Sequence, residues 1–237
     1  MKNHGPRRTK KNLREGRVKP IIGYYGSWVR LTYLSVISAV VGTYMALTGN
    51  IGISVFCLMV CGLCDMFDGT IARMKDRTPS EESYGIQIDA LADIVSFGVF
   101  PVVIGYAIGA LHIFPQRVTM GMIVSITVSA IYILATLIRL AYFNVVEIEL
   151  ADRKEARKYY EGMPVTFVSI IIPLVYAMSL IFGFHLPPVY NVMLFVLAAA
   201  FLIRIRIPKI RGRYLLIFLL IGLPIAIYLI LNIGMRV

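Results

Sequence analysis

Along its length the chain alternates long apolar runs with short polar connectors, and the runs show no every-other-residue alternation. Seven such runs cover approximately Trp28–Thr48, Ile51–Ala72, Ile88–Ala110, Thr119–Phe143, Pro164–Phe184, Val189–Ile203 and Tyr214–Gly234. Most reach the roughly 20 residues that a membrane-spanning helix needs; the sixth is short unless it extends through Leu186-Pro187-Pro188 or toward Ile207. In a bilayer every backbone polar group must be satisfied within the protein, which leaves helices or a closed barrel, and runs of this length without alternation exclude the barrel. The pattern predicts an all-α polytopic membrane protein with a single membrane domain over residues 23–237. Residues 1–22 have no apolar period and are expected to form a disordered tail. No internal repeat, low-complexity stretch or second domain is visible.

Composition agrees. Hydrophobic residues make up 58% of the 237, charged residues 16%, and mean hydropathy is +0.77; a soluble domain is nearer a quarter charged. The net charge of +11 changes the picture only through its distribution. Eight Lys/Arg fall within residues 1–20. Further basic residues (Arg73, Lys75, Arg77; Arg139, Arg153, Lys154, Arg157, Lys158; Arg204, Arg206, Lys209, Arg211, Arg213) fall in alternate connectors, leaving Arg117 and Arg236 for the other side. By the positive-inside rule the N-terminus is cytoplasmic, and the tail is drawn to anionic headgroups of the bilayer rather than to nucleic acid. Tyr24, Tyr25 and Trp28 are expected as an interfacial aromatic belt. Cys57, Cys61 and Cys64 share one apolar run with no partner ligands for zinc, and read as buried thiols.

The candidate chemistry lies where two runs meet polar sequence. Asp65 and Asp68 are three apart, and Asp89 and Asp93 four apart, spacings that put each pair on one helix face. A carboxylate within a bilayer costs roughly 2.5–3.5 kcal/mol at mid-depth on insertion scales. Four converging carboxylates therefore imply a compensating cation, and all-oxygen ligands point to a hard divalent ion such as Mg²⁺, Mn²⁺ or Ca²⁺. Metals held by carboxylates with open positions suit phosphoryl chemistry. Gly69 and Ala72 leave room for close approach of a base or phosphate. Arg73 offers a phosphate fork, or serves as an interfacial helix anchor.

Asp65-x-x-Asp68-Gly69-x-x-Ala72-Arg73 … Gly85-x-x-x-Asp89-x-x-x-Asp93 resembles the signature of the CDP-alcohol phosphatidyltransferases. One departure is the connector of eleven residues, Met74 to Tyr84, longer than is usual there. The resemblance implies a core of six transmembrane helices, with the seventh beyond it, a homodimer, and a site for two divalent ions, Mg²⁺ or Mn²⁺. It implies that Asp65, Asp68 and Asp89 are metal ligands and that Asp93 is a ligand or the base that takes the alcohol proton. Gly69, Arg73, Gly85 and a loop hydroxyl, chosen as Ser83 over Ser80 and Thr78, would hold the cytidine diphosphate of CDP-diacylglycerol.

Ile94-Val95-Ser96-Phe97-Gly98 and Pro101 after the last Asp, Leu140-Ala141-Tyr142-Phe143-Asn144 after Arg139, and Tyr160-Glu161-Gly162-Met163-Pro164 are similar to the phosphatidylserine synthase branch, with Tyr142 where that branch has a second Arg. That branch implies L-serine as acceptor. Arg139 and Asn144 are candidates for its carboxylate; Arg139 equally reads as a helix-end anchor. Glycerol phosphate or inositol phosphate as acceptor, and a cation-coupled transporter built on intramembrane aspartates, are the competing readings.

Overall fold

The computed structural model describes residues 22–74, 77–110, 120–152, 159–204, 206–208 and 218–231. Its helices are α1 Arg30–Leu47, α2 Ile51–Arg73, α3 Pro79–Asp93, α4 Phe100–Ala110, α5 Met120–Asp152, α6 Val168–Phe182, α7 Leu186–Leu202 and α8 Leu223–Leu231. Five described stretches are long and apolar enough to cross a membrane: Arg30–Leu47, Ile51–Ile71, Pro79–Gly109, Met120–Val146 and Val165–Phe182. Leu186–Leu202 and Leu220–Leu231 are shorter apolar helices. The protein is an all-α integral membrane protein. The tail and its basic residues, together with Arg117, lie outside the described residues.

Small residues bring α1 against its neighbours. Thr32, Ser35, Ala39, Gly42 and Ala46 recur every three or four positions and are buried. A Cβ on Gly42 would overlap Phe100 and Cys57, so this stripe sets how closely the backbones approach. The opposite side of α1, with Leu34, Ile37, Val40, Tyr44 and Leu47, is exposed, as a lipid-facing surface should be. Cys57, Cys61 and Cys64 are free and buried, and the Cys61 thiol donates to the Ser35 carbonyl (3.3 Å).

The second and third spans meet differently from the expected polar connector. Thr78 caps α3: its hydroxyl accepts from the Glu81 amide while the Glu81 carboxylate accepts from the Thr78 amide, with Pro79 in the first turn. This capping box, with a proline preset for the helix start, places Ser80 and Ser83 on a helix instead of in a loop. Helix α3 then continues through a π turn, Ile94–Val99, into α4. Pro101 lacks the amide that would reach back four residues to the Phe97 carbonyl. That carbonyl instead accepts from the buried Tyr132 hydroxyl of α5 (2.6 Å), and Tyr190 of α7 donates to the Pro101 carbonyl (2.7 Å). Two tyrosines thus satisfy the irregular backbone at the centre of the bundle, where Phe97, Ile104, Leu58, Ile172 and Leu194 are fully buried.

Helix α5 runs nine residues past the expected Phe143. At 1.5 Å per residue its 33 residues span about 50 Å, more than the roughly 30 Å of hydrocarbon, so it extends beyond the bilayer. A short antiparallel pairing absent from the sequence expectation, Tyr159–Glu161 (β1) with Arg206–Pro208 (β2), ties the segment before α6 to the segment after α7. Trp28 turns inward rather than joining an interfacial belt. It is 7% exposed, edge-on to Tyr84 of α3 and under the Arg77 guanidinium (5.6 Å), because the capped start of α3 packs against it.

Candidate metal centre

Asp65 and Asp68 lie in the last three turns of α2, Asp89 and Asp93 in the last two turns of α3. The antiparallel return between Arg73 and Pro79 brings the two faces together. Oxygens of Asp65, Asp89 and Asp93 all lie within 4.8 Å of one another. Asp68, buried, accepts from Thr32 of α1 (Thr32 Oγ1 to Asp68 Oδ2, 3.0 Å) and shares its helix face with Asp65, three residues earlier. Asp65 accepts from Thr166 (Oγ1 to Oδ2, 2.8 Å). The Asp65, Asp89 and Asp93 carboxylates therefore converge on one volume, with Asp68 one turn away on α2, lined by α1, α2, α3 and the segment entering α6.

The donor set fits a divalent cation. Oxygens bound to one ion at 2.0–2.6 Å lie no more than about 5 Å apart, and the Asp65, Asp89 and Asp93 oxygens meet that limit. Without a cation or shared protons, three like charges so close would repel by several kcal/mol. Each carboxylate oxygen is a hard ligand of the kind Mg²⁺ and Mn²⁺ take.

The remaining expected residues divide. Gly85 shares a face of α3 with Asp89 and Asp93, and a Cβ there would come within 3.1 Å of both Arg77 and the Trp28 ring. The Arg77 guanidinium therefore lies over Gly85, one turn from Asp89. Ser83 is exposed and lies about a third of a turn round the helix from Asp89, so the capping box has moved it off the aspartate face. Gly69 is half-buried one residue past Asp68; the side chains of Ala72 and Arg73 lie outside the described residues. Arg139 is 6% exposed. It donates from Nε to the Met163 carbonyl and from Nη2 to the Gly162 carbonyl, both at 3.3 Å, and its guanidinium lies 5.9 Å from the Phe143 ring centre. Asn144 is half-buried on the next turn of α5. Tyr142 accepts from Arg204 (2.9 Å), so a guanidinium from the end of α7 stands beside the position where the resembling branch carries its own.

Thr32 and Thr166 carry no site signature in the sequence. Thr166 follows closely on Gly162-Met163-Pro164, a string with a recognisable pattern; Thr32 sits in an apolar run with nothing to mark it.

The family model described as CDP-alcohol phosphatidyltransferase matches residues 30–204. Among curated relatives, a CDP-diacylglycerol–serine O-phosphatidyltransferase of Saccharomyces cerevisiae is 33% identical over 122 residues, 50% of this chain and 40% of the relative. One of the same name from Mycobacterium tuberculosis is 26% identical over 153 residues, covering 65% and 49%. The archaetidylserine synthase of Methanothermobacter thermautotrophicus is 23% identical over 142 residues, covering 60% and 54%. The aligned stretch spans about half the length of these relatives.

Proposed function

The chain belongs to the CDP-alcohol phosphatidyltransferase family, and on that premise we propose that it transfers the phosphatidyl group of CDP-diacylglycerol to the hydroxyl of L-serine, giving phosphatidylserine and CMP. The observation that carries this reading is the convergence of Asp65, Asp89 and Asp93 from two helices onto one volume, with the buried Asp68 one turn from Asp65. The serine acceptor is supported by the names of the relatives and by the strings after Asp93 and around Arg139.

Asp65, Asp89 and Asp93, with Asp68 beside them, would hold one or two divalent ions. When bound, such a cation neutralises charge developing on the transferred phosphorus and the leaving group. CDP-diacylglycerol enters from the bilayer with its acyl chains in lipid and its pyrophosphate at the aspartates. Gly69 leaves room for the cytidine diphosphate, whereas the space beside Gly85 is taken by Arg77 and Trp28; Arg73, and Arg77 held against Trp28, offer guanidinium forks to its phosphates. Asp93 accepts the proton of the serine hydroxyl. The serine oxygen forms a bond to the phosphatidyl phosphorus as the bond to the CMP oxygen breaks, and CMP departs with that electron pair. In the same proposal the site faces the cytoplasm, following the distribution of basic residues, and the protein works as a homodimer, following the family resemblance.

The test is CMP release by the purified, reconstituted protein with CDP-diacylglycerol, Mn²⁺ or Mg²⁺, and each of L-serine, glycerol phosphate and inositol phosphate. Release with serine alone is expected. Release with a phosphorylated acceptor in place of serine moves the enzyme to a sister specificity, and no release with any acceptor overturns the proposal.

A further inference from the structure

Thr166 belongs neither to the signature nor to any aspartate-bearing helix, yet it makes one of the shortest side-chain hydrogen bonds at the site, to Asp65 across 101 residues of sequence. Its own placement is determined from both sides. Downstream, the fully buried Ser169 donates to the Thr166 carbonyl (2.6 Å), fixing the short 3₁₀ turn Val165–Phe167.

Upstream, the chain enters from β1, which is paired to β2, and turns at Gly162 with φ +80°. That turn is tight for a side chain: a Cβ would lie 3.1 Å from the Ile203 carbonyl oxygen and 3.4 Å from that of Phe201, with the Arg139 guanidinium carbon in contact at 3.5 Å. Arg139, nearly buried, bonds two consecutive carbonyls of the turn, Gly162 and Met163. A guanidinium that donates to two consecutive carbonyls in this way holds the backbone. Three residues later the backbone delivers Thr166.

From this connection we infer that Thr166 is a positioning residue for the metal centre, and that Arg139 acts through it by clamping the Gly162–Met163 turn. The hydroxyl fixes the rotation of the Asp65 carboxylate, so that its oxygens sit with those of Asp89 and Asp93 before any ion arrives. Partners of this kind that orient a metal-ligating side chain typically contribute 10–100-fold to metal affinity. The role assigned to Arg139 uses its Nε and Nη2 nitrogens, which donate to the turn, and is separate from its candidacy for the acceptor carboxylate. This inference rests on the metal-binding reading of the aspartates.

The experiment is direct Mn²⁺ binding, read by electron paramagnetic resonance, with the full-length protein in lipid nanodiscs. Wild type is compared with Thr166→Val, which keeps the shape and removes the donor, and with Thr166→Ser, which keeps the donor. Thr166→Val is expected to weaken Mn²⁺ affinity about 10–100-fold while the protein keeps its helical circular-dichroism spectrum, and Thr166→Ser to stay within about threefold of wild type. Arg139→Met is expected to weaken binding as well, and the double variant to be no weaker than the poorer single one, as for residues acting in one chain of contacts. Wild-type affinity in Thr166→Val, or equal losses in the Val and Ser variants, overturns the positioning role while leaving the metal centre standing. Failure of the wild type itself to bind Mn²⁺ overturns both.

Discussion

The carboxylate oxygens of Asp65, Asp89 and Asp93 lie within 4.8 Å of one another, and that distance sets a sign that mutagenesis can read. At an effective dielectric near 20, two unit charges so placed repel by roughly 3.5 kcal/mol. Three charged groups in mutual contact therefore carry roughly 10 kcal/mol of repulsion before protons or a cation relieve it, comparable with the whole of a typical folding free energy. A divalent ion at one hundred times its dissociation constant adds about 2.7 kcal/mol, which for a chain of this size raises the melting temperature by about 5–10 °C. Replacing Asp89 with Asn removes two of the three repulsive pairs and one ligand together. The metal-free variant is therefore expected to melt several degrees above metal-free wild type, while the rise produced by Mn²⁺ largely disappears. The single tryptophan, Trp28, packs on Tyr84 and Arg77 at the start of α3, so its fluorescence reports unfolding of the helix that carries Asp89. A wild-type melting temperature unmoved by chelator, or an Asp89→Asn protein that melts lower without metal and still responds fully to Mn²⁺, would refute the reasoning.

Asp93→Asn is expected to lower CMP release about 10²–10⁴-fold, the usual contribution of a general base, with CDP-diacylglycerol binding kept within a few fold; turnover near wild type would remove Asp93 from that role. Tyr132→Phe strips the Phe97 carbonyl of its partner in a fully buried position, which costs about 1–3 kcal/mol. It should appear as a lower melting temperature and faster amide exchange around the π turn. Gly162→Ala forces a left-handed backbone and a 3.1 Å contact with the Ile203 carbonyl oxygen. A loss of about 1–3 kcal/mol, read as a lowered melting temperature, is expected, and an unchanged one would show that the turn relaxes freely.

The sequence reveals the membrane architecture and the aspartate pairs for a common reason: both depend on periodicity. Apolar runs of span length have few alternative structures, and spacings of three and four put Asp65 with Asp68 and Asp89 with Asp93 wherever the two helices lie. The threonines that hold Asp65 and Asp68 escape notice because a lone hydroxyl in an apolar run has many uses, and only the three-dimensional packing selects one. The strand pairing after α5 and α7 escapes because three-residue strands carry no period. The start of α3 is a different case, since its signal was present. Thr78-Pro79-Ser80-Glu81 has the form of a capping box with proline at the first helical position, yet the polar character of the segment reads more readily as a loop. If that box sets where α3 begins, Thr78→Ala should cost about 1 kcal/mol and lower the melting temperature by about 2–4 °C. Amide exchange at Glu81 should quicken, because its proton goes to the Thr78 hydroxyl. Thr78→Ser should restore both, since it keeps the accepting oxygen. A Ser variant as impaired as Ala, or slow exchange at Glu81 in the Ala variant, would mean that packing on Trp28 and Tyr84, rather than the cap, fixes the helix start.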